Sequence, residues 1–154
     1  CDCIATPFAG NVPIFDVLVT DAQCRTVAVQ VKTVNGGDWQ FDAEKFISIK
    51  FDEIAEQQIL GELPEIENPD LILAFVWIDP EHERHDRFFV LTRRDLQRLI
   101  HTEYSGWLGK HDGKRPRNWK TTHCAIHLAD VAPFENNWTI ITERLSEAEP
   151  ARPA

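Results

Sequence analysis

"FDVLVTDAQCRTVAVQVKT", residues 15–33, decides the fold. Two valine-rich runs, 14–20 and 25–34, flank a short polar link at 21–25. β-branched residues in such runs make strands, and so short a link between them makes an antiparallel hairpin. Side chains alternate along a strand. In the second run Val27, Val29 and Val31 therefore share one face, and Ala28, Gln30 and Lys32 share the other. An amide and a lysine two residues apart are not what a buried strand usually carries. Pairing Thr20 with Thr26 leaves 21–25 as the loop. The same register sets Asp16 opposite Gln30, with Lys32 diagonal to both on one face.

A carboxylate, an amide oxygen and a lysine at the end of a sheet suit one kind of chemistry. Asp16 offers a hard anionic oxygen to a divalent cation, and the Gln30 side-chain oxygen and the Val31 carbonyl can complete part of the shell. Mg²⁺, or Mn²⁺ in its place, favours this oxygen set filled out by water and phosphate. Such a metal lowers the pKa of a bound water and clamps a phosphate oxygen. Lys32 would orient that water or stabilise charge in the transition state. Asp16, Gln30 and Lys32 are thus the candidate catalytic residues, and Asp16, Gln30 and Val31 the candidate metal ligands. The plain alternative is that a lysine at a strand end is solvated through its long stem.

Outward from the hairpin, "CDCIATP" predicts a strand ended by Pro7, "AGNVP" a turn and "NGGDW" a tight loop. "FISIKF" alternates like a strand, whereas "DEIAEQQIL" consists of helix formers, so residues 41–60 are ambiguous. "LILAFVWID" is continuous in its hydrophobicity and predicts a strand buried on both faces. "RFFVLT" is another strand. Thr92 then caps a helix, with Asp95 placed to reach back and Leu96, Leu99 and Ile100 as its apolar stripe. "CAIHLADV" and "WTIITERL" are short closing elements, the former read as a packed strand. The expected fold class is α/β (α+β), strands mixed with a few helices. It forms a single domain over 1–145, with 146–154 a disordered tail.

"FDVLVTDAQCRTVAVQVKT" resembles the core of the PD-(D/E)XK nuclease superfamily, where an Asp at a strand end is followed by E-x-K or Q-x-K on the next strand. In particular it resembles a Q-V-K branch of bacterial proteins akin to archaeal Holliday junction resolvases and Mrr-type restriction enzymes. "WQFDAEKF", "NPDLILAFVWID", "RFFVLTRRDLQ" and "NNWTII" are similar to that branch too. The resemblance implies a restriction-endonuclease-like mixed central sheet flanked by helices, and Mg²⁺-dependent hydrolysis of DNA phosphodiesters in defence or repair. It also implies a first helix upstream of Cys1, and a homodimer where both strands are cut. Gln30 stands where most members carry an acid. The alternative function is a nuclease-fold module that has lost catalysis and binds DNA or a protein partner.

The net charge of −9 argues against a general nucleic-acid coat. The charge is uneven, however: residues 84–120 hold ten Lys/Arg against four Asp/Glu, a local net of +6. Within that stretch Arg93, Arg94, Lys110, Lys114, Arg115, Arg117 and Lys120 are the candidate DNA contacts, with Trp119 placed to stack on bases. "HCAIH" (His123, Cys124, His127), taken with Cys1 and Cys3, matches no strong zinc spacing. Trp77, Trp107, Trp119 and Trp138 read most simply as core or interface aromatics, and His82 and His85 as a polar hairpin turn.

The chain has 154 residues, room for one domain with a proper core. Its longest apolar run is far short of a membrane span. Four cysteines without a framework spacing predict a reduced, cytoplasmic setting. The absence of methionine and the start at Cys1 predict that the natural beginning lies upstream.

Overall fold

A computed structural model describes residues 2–8, 14–81 and 85–148. The predicted "AGNVP" turn, His82 and the last six residues lie outside the described residues.

The architecture is mixed α and β. Strands β1 (Cys3–Pro7), β2 (Val17–Asp21), β3 (Thr26–Asn35), β7 (Ile72–Ile78) and β8 (Arg87–Thr92) form a five-stranded sheet in the order β1-β2-β3-β7-β8. All neighbours are antiparallel except β3 and β7, which run parallel. Parallel neighbours need a crossover. Here residues 36–71 supply it, carrying β4 (Trp39–Asp42), a 3-10 turn at Ala43–Lys45 and a hairpin of β5 (Ile49–Asp52) with β6 (Gln57–Leu60). Gly36 and Gly37 start the crossover at φ values of 65° and 67°, a left-handed geometry that glycine adopts without penalty. β4 pairs with β9 (His123–Ile126) as a separate two-stranded ribbon.

The sheet buries both faces, as the apolar run of β7 requires. Leu73 and Phe75 of β7 face one core with Phe89 and Leu91 of β8, the helix α1 (Arg93–Gly109) and the β4–β9 ribbon. Ile72 and Ala74 face the other with Val19, Val29 and Val90, where Leu145 of α3 (Thr139–Glu147) closes the layer. A short helix α2 (Leu128–Val131) links the ribbon to α3. The capping box of α1 is as expected: Thr92 Oγ1 accepts from the Asp95 amide at 3.1 Å, and Asp95 Oδ2 accepts from the Thr92 amide at 3.0 Å.

One ambiguity resolves and three expectations fail. The ambiguous stretch "DEIAEQQIL" is a turn and strand β6, not helix. Asp52 accepts from the Ile54 and Ala55 amides, and Glu56 takes a positive φ of 53°, so side chain and backbone close a hairpin there. In "CAIHLADV" only the first half is strand, because Asp130 Oδ2 accepts from the His127 amide at 2.7 Å and starts α2. α3 runs through Ser146 and Glu147, two residues into the expected tail, with Arg144 bonded to both Glu147 and Asp70. Cys3 is disulfide-bonded, against the expected fully reduced set, while Cys24 and Cys124 are free thiols. Among the described residues no helix is long and apolar enough to cross a membrane.

Candidate functional site

The hairpin register read from the sequence is the observed one. Thr20 faces Thr26, Leu18 faces Ala28 and Val17 faces Val29. The ladder ends at Val17; beyond it the pairing shifts, and Asp16 bonds to Val29 and Val31 rather than standing opposite Gln30 as the sequence register predicts. The Asp16 amide donates to the Val29 carbonyl at 2.9 Å, and Asp16 Oδ2 accepts from the Val31 amide at 2.7 Å. The N–H and C=O of one strand residue point to the same side, so the Val31 carbonyl is directed towards Asp16 as well. Asp16 Oδ1 accepts no hydrogen bond from the described residues.

Gln30 and Lys32 pair with Leu73 and Phe75 and so lie on the α1 side of the sheet. They line a cleft of about 420 Å³ together with Arg93, Asp42, Lys45 and Glu67. Asp16 does not line this cleft; Ile14 does. Gln30 and Lys32 are half-buried, yet neither side chain makes a hydrogen bond or ion pair with a described residue. Polar groups withdrawn from water are nearly always partnered. An unpartnered amide and ammonium facing an open cleft are therefore available to a ligand.

Local structure explains the walls. The loop before β7 caps α1: Leu71 and Pro69 carbonyls accept from the Arg93 and Arg94 amides at 2.9 and 2.8 Å. That loop brings Glu67 to the cleft, and Arg93 enters from the first turn with its guanidinium 5.9 Å above the Phe46 ring. Asp42 accepts from Thr122 Oγ1 at 2.5 Å and from the Glu44 amide at 3.3 Å, which fixes it between the ribbon and the 3-10 turn. Asp42, Lys45 and Glu67 had no assigned role in the sequence. Asp42 and Lys45 carried a weak signal, since "WQFDAEKF" is one of the stretches similar to the nuclease branch.

The basic stretch is divided by its own helix. The 17 residues of α1 put Arg93 and Lys110 about 25 Å apart. Arg93 joins Gln30 and Lys32, while Lys110 and Arg115 line a separate cleft of about 590 Å³ between the end of α1 and β9. Lys114 and Lys120 pair with Glu56 and Glu53 at 3.2 and 2.9 Å, and Arg117 is exposed. Trp119 packs edge-on against Phe51, with the Lys120 ammonium 5.0 Å from its ring. His123 and Cys124 lie on β9, where burial pushes the Cys124 thiol up to about 11. Among the described residues no three of His, Cys, Asp and Glu converge as a metal site would require. A cation at Asp16 would thus rest on one carboxylate with neutral oxygens, a set that fits Mg²⁺ or Mn²⁺ in kind but binds weakly in charge.

Compared with family models, curated proteins and solved structures, the chain gives no match. What the site can do follows from its residues: Lys32, Lys45 and Arg93 suit a phosphate group, and Asp16 with Gln30 suits a hard cation beside it.

Proposed function

We propose that the chain is a metal-dependent endonuclease of the PD-(D/E)XK type, cutting DNA phosphodiesters. One observation carries this reading. The Asp16 carboxylate is hydrogen-bonded to the amide of Val31, the residue between Gln30 and Lys32, whose side chains have no partner among the described residues. Asp16 Oδ1, the Gln30 amide oxygen and the Val31 carbonyl would hold Mg²⁺ or Mn²⁺. Such an ion supplies an activated water and neutralises phosphate charge. Lys32 and Arg93 would hold the scissile phosphate from the cleft side. Their charges favour the extra negative charge of the transition state over that of the ground state.

A second reading is favoured by Gln30 itself. With an amide in place of the second acid, the chain would serve as a nuclease-like module that binds DNA or a protein without cutting. A Mn²⁺ titration followed by calorimetry separates the two. The enzyme reading expects one weak site, lost in Asp16→Asn. No binding at all would favour the module.

A further inference from the structure

We infer that the cleft at Lys32 continues as a cationic track for single-stranded nucleic acid. It runs over the β4–β9 ribbon to Arg115. This deepens the nuclease reading and rests on it for what the strand meets at Lys32.

Four clefts adjoin in sequence. The Lys32 cleft shares Gln40, Phe41 and Asp42 with a cleft of about 400 Å³ over the ribbon. That cleft shares Thr121 and His123 with one of about 440 Å³, which in turn shares Trp107 and Arg115 with the 590 Å³ cleft beside α1. Lys32 and Arg93 stand at one end, Lys120 in the middle, and Arg117, Arg115 and Lys110 at the far end. The carboxylates on the same walls are Asp42, Glu67 and Glu103. In a chain of net charge −9, such a row of cations marks a place for a polyanion.

Arg115 is the fixed point of the track. Its guanidinium lies 4.9 Å from the Tyr104 ring and 4.6 Å from the Trp107 ring, and it donates to the His123 carbonyl. Its Nε is buried without a hydrogen-bond partner in the described protein. Arg25, Arg87 and Arg144 each pair with a carboxylate; Arg115 has no such pair among the described residues. A cation held in place by aromatic faces loses little freedom when it takes up a phosphate. The Lys120–Glu53 pair is more than half exposed on both sides, so it is weak and can yield to a phosphate.

The clefts are each the size of a small-molecule site. At about 400–590 Å³ each, they match the bulk of a single nucleotide rather than that of a duplex. The tryptophan on the track, Trp107, is already covered by His111 stacked at 4.0 Å, and Trp119, which lines none of the four clefts, carries Lys120. Grip therefore comes from phosphate charge, and the binding is salt-dependent and indifferent to sequence.

The test is fluorescence anisotropy in EDTA, where nothing is cut, with labelled single-stranded DNA and RNA of about ten nucleotides and a duplex of equal length. The expected result is tighter binding of single strands than of duplex. The double variant Lys110→Ala, Arg117→Ala should lower the salt slope on single strands by about 1.4. Both side chains are exposed, so folding is not at stake as it is for Arg115→Ala. The DNA and RNA arms decide which sugar is preferred. Duplex binding as tight as single-strand binding, an unchanged slope in the double variant, or equal competition by polyglutamate would each overturn the track. Single-strand binding without cleavage in Mg²⁺ would keep the track and remove the nuclease. Cleavage without single-strand preference would do the reverse.

Discussion

Asp16 Oδ2 accepts the Val31 amide at 2.7 Å, and this one bond ties the residue before β2 to the middle of the Gln30–Lys32 pair on β3. A carboxylate there has one oxygen occupied by the backbone and one turned away from any described partner.

Gln30→Glu adds the second carboxylate that this arrangement lacks. Affinity for hard cations rises with ligand charge. The variant is expected to bind Mg²⁺ about tenfold or more tighter, and to gain more melting temperature from added Mg²⁺ than the wild type does. Equal Mg²⁺ stabilisation of both proteins would place the cation elsewhere.

Tyr104 anchors the basic loop to the core. Its hydroxyl donates to Gln58 Oε1 at 2.6 Å, and the Gln58 amide reaches the Trp119 and Thr121 carbonyls. Burial holds the phenol above its usual range, so it stays protonated and donating at neutral pH. Tyr104→Phe leaves Gln58 Oε1 short of a donor at a cost of about 1–3 kcal/mol. The expected signature is a lower urea midpoint with an unchanged m value.

His127 Nδ1 lies 3.0 Å from Asp38 Oδ1, and that hydrogen bond raises the histidine above its usual pKa. A raised folded pKa favours the protonated form. The resulting stability is fully present below the unfolded value of about 6.5 and fades as pH climbs through the folded value. Both side chains are well exposed, so the effect is small. Wild type should exceed Asp38→Asn in melting temperature at about pH 5.5 and by less at about pH 8.5. A gap that does not depend on pH would mean that the pair contributes nothing through protonation.

The two free thiols should differ in reactivity. Cys24 is exposed; Cys124 is buried and its thiol is pushed up to about 11. The thiolate is the reacting species. Iodoacetamide at neutral pH should label Cys24 and leave Cys124 unlabelled until the chain is unfolded. Prompt labelling of Cys124 in the native protein would show that the core around β9 opens.

The parts legible in the sequence are those with strong local physics. The 21–25 link fixes the hairpin register, the apolar run of β7 fixes a buried strand, and Thr92 with Asp95 starts α1. Residues 53–60 stay ambiguous in the sequence because helix propensity is a weak prior. Gln58, buried under Tyr104, makes a strand there more favourable than the exposed helix its neighbours would form. The basic stretch did mislead. Charge close in sequence is not close in space when a 17-residue helix lies between, and the Asp42, Lys45 and Glu67 walls depend on long-range packing.

In the proposed enzyme, Lys32 would act on a phosphodiester held beside Asp16. The most direct measurement is the cleavage rate on plasmid, linear and branched DNA with Mg²⁺ or Mn²⁺, wild type beside Lys32→Ala. Loss of one preorganised charge donor at a reacting centre costs about 10²–10³ in rate. The account predicts metal-dependent cutting by the wild type and a fall of that size in the variant, with DNA binding retained. Cleavage undiminished in Lys32→Ala, or no cleavage by the wild type while DNA is bound, would contradict it.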